Sequence, residues 1–375
     1  MFDVLKKIKT HVNNLLHDGD VEVAIYPSYG FLQGTDWHIP LRGWVHQDRR
    51  LPDHLIGEVA QRIVGCSDGE MGNFNSRFAA FTHDSRSAQT VTIQFDADNE
   101  PRTFPTSDLN GLIEMTVQLS ADKARSLLSQ QGATENWLSF SVVSQGHRGT
   151  GRVKLIEPQG VSLVSDIDDT IKVTEVPGSR DVVLKNTFCR EFVAVAGMAD
   201  RYKALENVAF HYVSGGPWQL YPPLSDFISR VGFPAGTFHL NYFPKNFLAE
   251  DTRSLLIDSI CGSLGRTYDH KVEQIKRLME RFPERRFVLV GDSGELDVEV
   301  YRHMRELFGG RVEQILIRDV VNDEAVNSFR LDGVTVIKAD KIVCASAEHY
   351  EKLVPHIQRG HQRPYAKNNL PPCAG

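Results

Sequence analysis

The sequence predicts an α/β protein in which a helix-covered parallel sheet follows a smaller all-β domain. Two observations carry this prediction. Residues 21–155 hold short, alternating apolar–polar segments separated by turn-forming residues, the pattern of sandwiches and barrels. From about Gly160, apolar strands instead alternate with helical stretches, which implies parallel strands joined by crossover helices. At 375 residues the chain is long enough for both units. The expected boundaries are an N-terminal helix at 1–20, a β-sandwich or barrel-like domain at 21–155, an α/β domain at 156–360 and a loose tail at 361–375.

In chain order, Phe2, Leu5, Ile8, Val12, Leu15 and Leu16 share one helical face. They suit a helix docked on the body, with an interfacial membrane helix as the alternative. Val21–Tyr26 alternates, Pro27–Gly30 reads as a turn, and further strands are expected at Gly43–His46, Thr90–Phe95, Ile113–Leu119 and Leu138–Val143. Residues 50–65 form a candidate helical insertion. Asp36, His38 and His46 read as polar residues of strand edges rather than ligands. In the second half, strands are expected at Val161–Ser165, Val208–Val213, Gly236–Leu240, Arg286–Val290, Val312–Ile317 and Val334–Ile337. Helices are expected at 189–206, 218–231, 268–282, 295–308 and 346–358.

Composition limits the function. A net charge of −6 and a pI near 6.2 give no reason to expect nucleic-acid binding. No apolar stretch approaches bilayer-spanning length, and the first residues lack the apolar core of a signal peptide. Membrane contact is therefore expected to be peripheral. Cys66, Cys189, Cys261, Cys344 and Cys373 lack metal-ligand spacing and read as reduced thiols of a cytoplasmic protein.

The chemistry concentrates after the apolar strands, where parallel sheets bind ligands. Asp166 and Asp168, in Asp166-Ile-Asp-Asp-Thr170, follow Val161–Ser165. Two carboxylates so close repel unless a divalent cation relieves them, and hard Mg²⁺ prefers carboxylates with phosphate oxygens. One Asp can attack phosphorus while the other exchanges protons with the leaving oxygen and water. Ser214, with the glycine amides of Gly215 and Gly216 behind it, can donate to phosphate oxygens. Lys271 can offset phosphoryl charge. Asp292, after the fourth strand, can complete a Mg²⁺ site that Asp297 orients. Singly, each has an ordinary explanation as a turn, a helix cap or a solvated side chain. Their joint order points to phosphoryl transfer.

Ser165–Lys172, Ser214–Tyr221, Gly236–Leu240 and Phe287–Glu295, with the helical segment Lys276–Pro283, resemble the haloacid dehalogenase superfamily. Within it they resemble the actin-patch-protein type phosphatidate phosphatases and their bacterial relatives. The resemblance is strong over about 150–320 and weak in the β region, through Ile25–Gly30 and Gly43–Val45. It implies a Rossmann-like haloacid dehalogenase catalytic domain, Mg²⁺ dependence and a phosphomonoester substrate, phosphatidate in the characterised branch. It also implies Asp166 as nucleophile and Asp168 as general acid/base. Thr170, Ser214, Gly215 and Lys271 would bind phosphate, and Asp166, the Asp168 carbonyl and Asp292 would hold the metal. Asn241 stands where the family usually has a basic residue.

The expected activity is hydrolysis of phosphatidate to diacylglycerol at a peripheral membrane surface, with a phospholipid as the partner. Trp218, Tyr221, Phe238, Tyr242, Phe243 and Phe247 are candidates to meet lipid, or alternatively core residues. The alternatives are a soluble phosphomonoester and a catalytically silent scaffold.

Overall fold

The computed structural model describes residues 21–47, 53–241, 264–321 and 330–340, with Ile260 and single positions from 342 to 357. The expected helix at 1–20, the tail at 361–375, and Tyr242, Phe243 and Phe247 lie outside the described residues. So does most of the expected helix at 346–358.

The N-terminal half contains a ten-stranded mixed sheet. Its longest strand, Asp36–Gln47, turns Trp37, Ile39, Leu41 and Val45 inward at a period of two. It pairs antiparallel with Val21–Ile25 and with Leu112–Ser120. Strand Ser28–Gln33 pairs with it on one side and runs parallel to Thr150–Leu155 on the other, so it joins the two parts of the sheet. The expected turn at Pro27–Gly30 is thus mostly strand. Nor is this half purely β. Helix Ala121–Gln130 starts at Ser120, whose hydroxyl accepts from Lys123 N. The expected insertion at 50–65 contains helix Asp53–Val59, and a further helix spans Met71–Thr82.

That last helix carries Phe74, Phe78 and Phe81 on one face. They enter one apolar cluster with Leu163, Phe188, Phe210 and Trp218 from the second half. The two halves therefore share a core. Cys66 and Cys189 bridge them with a disulfide, Cα–Cα 5.6 Å, across 123 residues of sequence. This corrects the expectation of reduced thiols, because spacing rules cannot reveal partners so distant in the chain.

The second half is built on six parallel strands: β1 (Val161–Ser165), β2 (Val208–Pro217), β3 (Gly236–Asn241), β4 (Arg286–Asp292), β5 (Val312–Asp319) and β6 (Thr335–Lys338). Their order, β3-β2-β1-β4-β5-β6, is that of doubly wound sheets. Ser162–Ser165 of β1 are buried throughout, which explains its unbroken apolar run. The helices are α1 (Arg180–Phe188), α2 (Met198–Lys203), α3 (Tyr221–Val231), α4 (Leu264–Arg281) and α5 (Asp297–Phe308). Helix α3 begins with prolines in its first turn and ends at left-handed Gly232, φ 82°.

The expected helix at 189–206 is mostly not one. Val173 N donates to Val193 O and Val195 N to Ile171 O, so the backbone of 193–195 pairs with the loop after β1. Only Met198–Lys203 remains helical. Trp218 and Phe238 are buried, and Trp218 stacks on Tyr26 at 4.0 Å. These two aromatics belong to the seam between the halves, not to an exposed lipid-facing surface. His46 stacks on Trp44 at 4.1 Å, with its Nδ1 3.1 Å from that of His83. Burial and the neighbouring His83 push it down to about 3. Among the described residues, no helix is long and apolar enough to cross a membrane.

Candidate active site

The order of the sheet reverses between β1 and β4, the crevice where such folds bind ligands. Asp166 is the first residue beyond β1, and its N–H donates to Val290 O at 2.9 Å. Asp292 is the last residue of β4. Both carboxylates are buried, at 1% and 0% exposure. Gly291 must be glycine here, because a Cβ would collide with the Asp297 carboxylate. That space lets Asp297, the first residue of α5, reach back. Its Oδ2 accepts from Asp292 N at 3.2 Å.

Lys271 enters from α4, also buried. Its Nζ lies 2.5 Å from Asp297 Oδ1, 2.8 Å from Asp166 Oδ1 and 3.2 Å from Glu295 Oε2. Burial works against this ammonium, yet Asp166, Asp297 and Glu295 outweigh it and keep the lysine charged. The acids feel the crowding. Burial, with Asp297, Glu295 and Asp168, pushes the Asp166 carboxyl well up against the pull of Lys271. Burial, with Asp297 and Asp166, does the same to Asp292. Burial lifts Glu295 to about 6, against Lys271.

The residues fit a hard cation. One carboxylate oxygen each from Asp166, Asp292 and Asp297 lies within 4.8 Å of the others. Neither oxygen of Asp166 accepts a well-aligned hydrogen bond, although both are buried. An all-oxygen set of crowded, repelling carboxylates suits a hard divalent cation.

Asp168 and Ser214 stand beside this cluster. Ser214 Oγ donates to Asp168 Oδ2 at 3.2 Å and accepts from Gly216 N at 3.0 Å. Thr174 Oγ1 donates to Asp168 Oδ1 at 2.7 Å, and Lys172 Nζ lies 2.8 Å from the same oxygen. Burial raises the Asp168 carboxyl, but Lys172, Thr174 and Ser214 together hold it below the usual range. Asp168, Ser214, Gly215 and Glu295 all line one small cavity. Gly215 packs on Thr267, which a Cβ would meet at 2.7 Å. Thr170 is buried and its hydroxyl faces Asp292 Oδ2 at 3.5 Å.

The structure therefore brings Asp166, Lys271, Asp292 and Asp297 into direct contact, with Asp168 and Ser214 adjacent. Sequence reasoning gave no role to Glu295, Lys172, Asp169 or Thr174. Glu295 sits inside Gly291-Asp-Ser-Gly-Glu295, and a third acid so near Asp292 was the available signal. Asp169 has a left-handed backbone, φ 55°. Its carboxylate accepts from the N–H groups of Thr174, Glu175 and Val176 and so folds the loop after β1 back over the site. No motif spacing announced that.

Residues 161–319 match the family described as phosphatidate phosphatase APP1, catalytic domain. The chain is 34% identical over 168 residues to phosphatidate phosphatase APP1 of Saccharomyces cerevisiae, covering 44% of this chain and 26% of the relative. It is 31% identical over 176 residues to an uncharacterized protein of Schizosaccharomyces pombe, covering 46% and 27%. The matched stretch thus spans about a quarter of each curated relative.

Proposed function

We propose that this chain, whose residues 161–319 match the phosphatidate phosphatase APP1 catalytic domain, is a Mg²⁺-dependent phosphatase of haloacid dehalogenase type acting on phosphatidate. The observation that supports the mechanism most is the burial of Asp166, Asp292 and Lys271 together at the switch point of the sheet.

In this reading Asp166 attacks phosphorus and the ester bond breaks, leaving an aspartyl-phosphate. Asp168 gives its proton to the leaving oxygen, then takes one from the water that frees phosphate. The ionised Asp168 of this structure is the form needed for the second half. Ser214, the glycine amides and Lys271 would bind phosphoryl oxygens, with Thr170 at their edge. Mg²⁺, held by Asp166, the Asp168 carbonyl and Asp292, would neutralise charge on the transferring group. Asp297 orients Lys271 and the Asp292 backbone.

The yeast relative, a phosphatidate phosphatase, supports the lipid substrate and with it a peripheral membrane placement. One observation favours a soluble phosphomonoester instead: Trp218 and Phe238 are buried in the seam and cannot reach a bilayer. A cytoplasmic location must also accommodate the Cys66–Cys189 disulfide, both of whose cysteines are buried.

Phosphate release from phosphatidate vesicles and from a soluble aryl phosphate, with and without Mg²⁺, tests the proposal. Mg²⁺-dependent release from vesicles supports it. Release from soluble esters alone favours the second reading, and none from either removes the enzymatic one.

A further inference from the structure

We propose that Lys172 is a second phosphate-binding cation of this site, engaging the phosphoryl group directly. The inference rests on reading the site as a phosphoryl-transfer centre, and it adds a ligand that no motif assigns.

Lys172 lies six residues after Asp166, on the loop that Asp169 folds back over the strand ends. The loop is fixed by its own backbone: Asp169 N donates to Lys172 O at 2.7 Å and Lys172 N to Ile167 O at 3.0 Å. Lys172 is only 2% exposed. Its Nζ lies 2.8 Å from Asp168 Oδ1 and also donates to Thr174 Oγ1. The Phe192 ring centroid is 4.9 Å from Nζ, and the Arg77 guanidinium lies 3.8 Å from that centroid. Arg77 in turn donates to Thr187 O and Arg190 O. Helix Met71–Thr82 of the N-terminal half thus reaches the edge of the catalytic site and fixes the aromatic against which Lys172 rests.

Burying an ammonium is costly, so its target must justify the position. Asp168 alone is a poor justification, because an apolar wall and a neutral acid would cost less. The two lysines differ in how free they are. Lys271 is shared by three carboxylates, Asp166, Glu295 and Asp297. Among the described residues Lys172 pairs with one carboxylate, Asp168, beside the Thr174 hydroxyl, and Asp168 already accepts from Thr174 and Ser214. A phosphoryl dianion can therefore draw Lys172 away without stripping Asp168 of partners.

The cavity supports the same assignment. Asp168, Lys172, Ser214 and Glu295 form its polar end, and Phe192 and Leu220 part of its apolar wall. The cavity is small, about 30 Å³, so a phosphoryl group beside Ser214 comes within reach of its lining. Lys172 is the long, flexible, oppositely charged group of that lining, able to turn from Asp168 to a phosphoryl oxygen.

The test uses the full chain and inorganic phosphate as probe. Phosphate binding is measured by calorimetry in saturating Mg²⁺ for the wild type, Lys172→Met, Lys172→Gln and Lys172→Arg, and Mg²⁺ is titrated separately. Lys172→Met is expected to weaken phosphate at least tenfold and Lys172→Arg about threefold. Mg²⁺ should bind Lys172→Met as tightly as wild type or tighter, since a nearby positive charge is gone. Unchanged phosphate affinity in Lys172→Met overturns the assignment and makes Lys172 a partner of Asp168 only. Lys172→Gln, which keeps the length and a hydrogen-bond donor, gives the same reading if the Met variant fails to fold. A wild type that binds no phosphate at millimolar concentration also overturns it. Lys172-dependent phosphate binding without turnover of any ester would uphold this inference while removing the enzymatic reading.

Discussion

Lys271 Nζ lies 2.8 Å from Asp166 Oδ1, and both residues are buried to within 1% of full enclosure. Yet burial and neighbouring acids push the Asp166 carboxyl well above the usual range, so the ion pair does not settle this carboxylate. A charge held at that cost points to reactivity rather than stability.

The first prediction follows. Asp166→Asn removes the proposed nucleophile and metal donor while keeping the side chain's shape. Phosphate release should fall by about three orders of magnitude or more, since no nearby group replaces a covalent nucleophile. The melting temperature without metal should hold or rise, because a neutral amide suits the buried position better than a carboxylate. Retention of a tenth of wild-type turnover would remove Asp166 from its role.

Metal binding should be pH-dependent. Burial and neighbouring acids raise the carboxyls of Asp166 and Asp292, so protons compete with a metal ion at these oxygens. Mg²⁺ affinity should therefore fall as pH drops, and binding should release protons into buffer wherever these carboxyls carry them. Calorimetry in two buffers of different ionisation enthalpy reads this directly. Asp292→Ala should weaken Mg²⁺ at every pH. If Asp297→Asn does so more strongly, Asp297 is the ligand and Asp292 its support.

Removing the central cation should damage the fold as well as the chemistry. Lys271→Met leaves Asp166, Glu295 and Asp297 facing one another without compensation. Breaking a buried ion pair this way costs about 3–5 kcal/mol. Urea unfolding should show that loss in metal-free buffer, with part of it recovered in Mg²⁺. Full stability without metal would mean that the three acids do not depend on Lys271 for compensation.

How much of this was legible in the sequence depends on the range of each signal. The central parallel strands were readable because Val161–Ser165 and its neighbours are largely buried and so carry apolar runs, whereas β6, mostly exposed, was readable only from its alternation with helices. Asp166 and Asp292 were readable because a charge at the end of such a run has few cheap explanations. The segment 189–206 misled because its apolar spacing serves a loop whose backbone pairs with 171–173, which no local periodicity encodes. For Trp218 the sequence left a core and a lipid-facing position both open, because its burial depends on Tyr26, almost two hundred residues away. Lys172 and Glu295 lay inside the recognised motifs, but their roles depend on the fold that Asp169 imposes on the loop and on the approach of α4.

The disulfide should be measurable and structural. Cys66–Cys189 joins the helical insertion to the end of α1 across 123 residues. Such a link typically adds about 2–4 kcal/mol by restricting the unfolded chain. Cys66→Ser should lower the denaturation midpoint, as should a strong reductant on the wild type. Alkylation of the native, non-reduced protein after denaturation should label three cysteines of the five. Labelling of all five would show that the pair is reduced in the purified protein.

The last prediction concerns acid sensitivity, for which the histidines under the sheet are responsible. His239 Nε2 lies 2.9 Å from Thr237 Oγ1, which in turn lies 2.7 Å from His211 Nδ1. Burial first, then His270 and nearby arginines, push His239 down to about 3. Burial lowers His270 to about 4 and His211 well below its ordinary value. A histidine whose folded pKa is depressed takes a proton more readily when unfolded. Its contribution to stability is therefore complete above about 6.5 and is lost as pH falls below that. Each such group adds about 1.4 kcal/mol per pH unit to the slope of unfolding free energy. Asp166, Asp292 and Glu295, with raised carboxyls, act in the opposite sense, so the total slope mixes the two classes. A single substitution separates them. His239→Gln keeps a side chain able to donate to or accept from Thr237 but cannot titrate. Urea unfolding between pH 6.5 and 5 should show an average slope smaller by about 1.1 kcal/mol per pH unit than the wild type. An unchanged slope would mean that His239 takes its proton within the folded protein, and the neutral network from His211 to His239 would have to be redrawn.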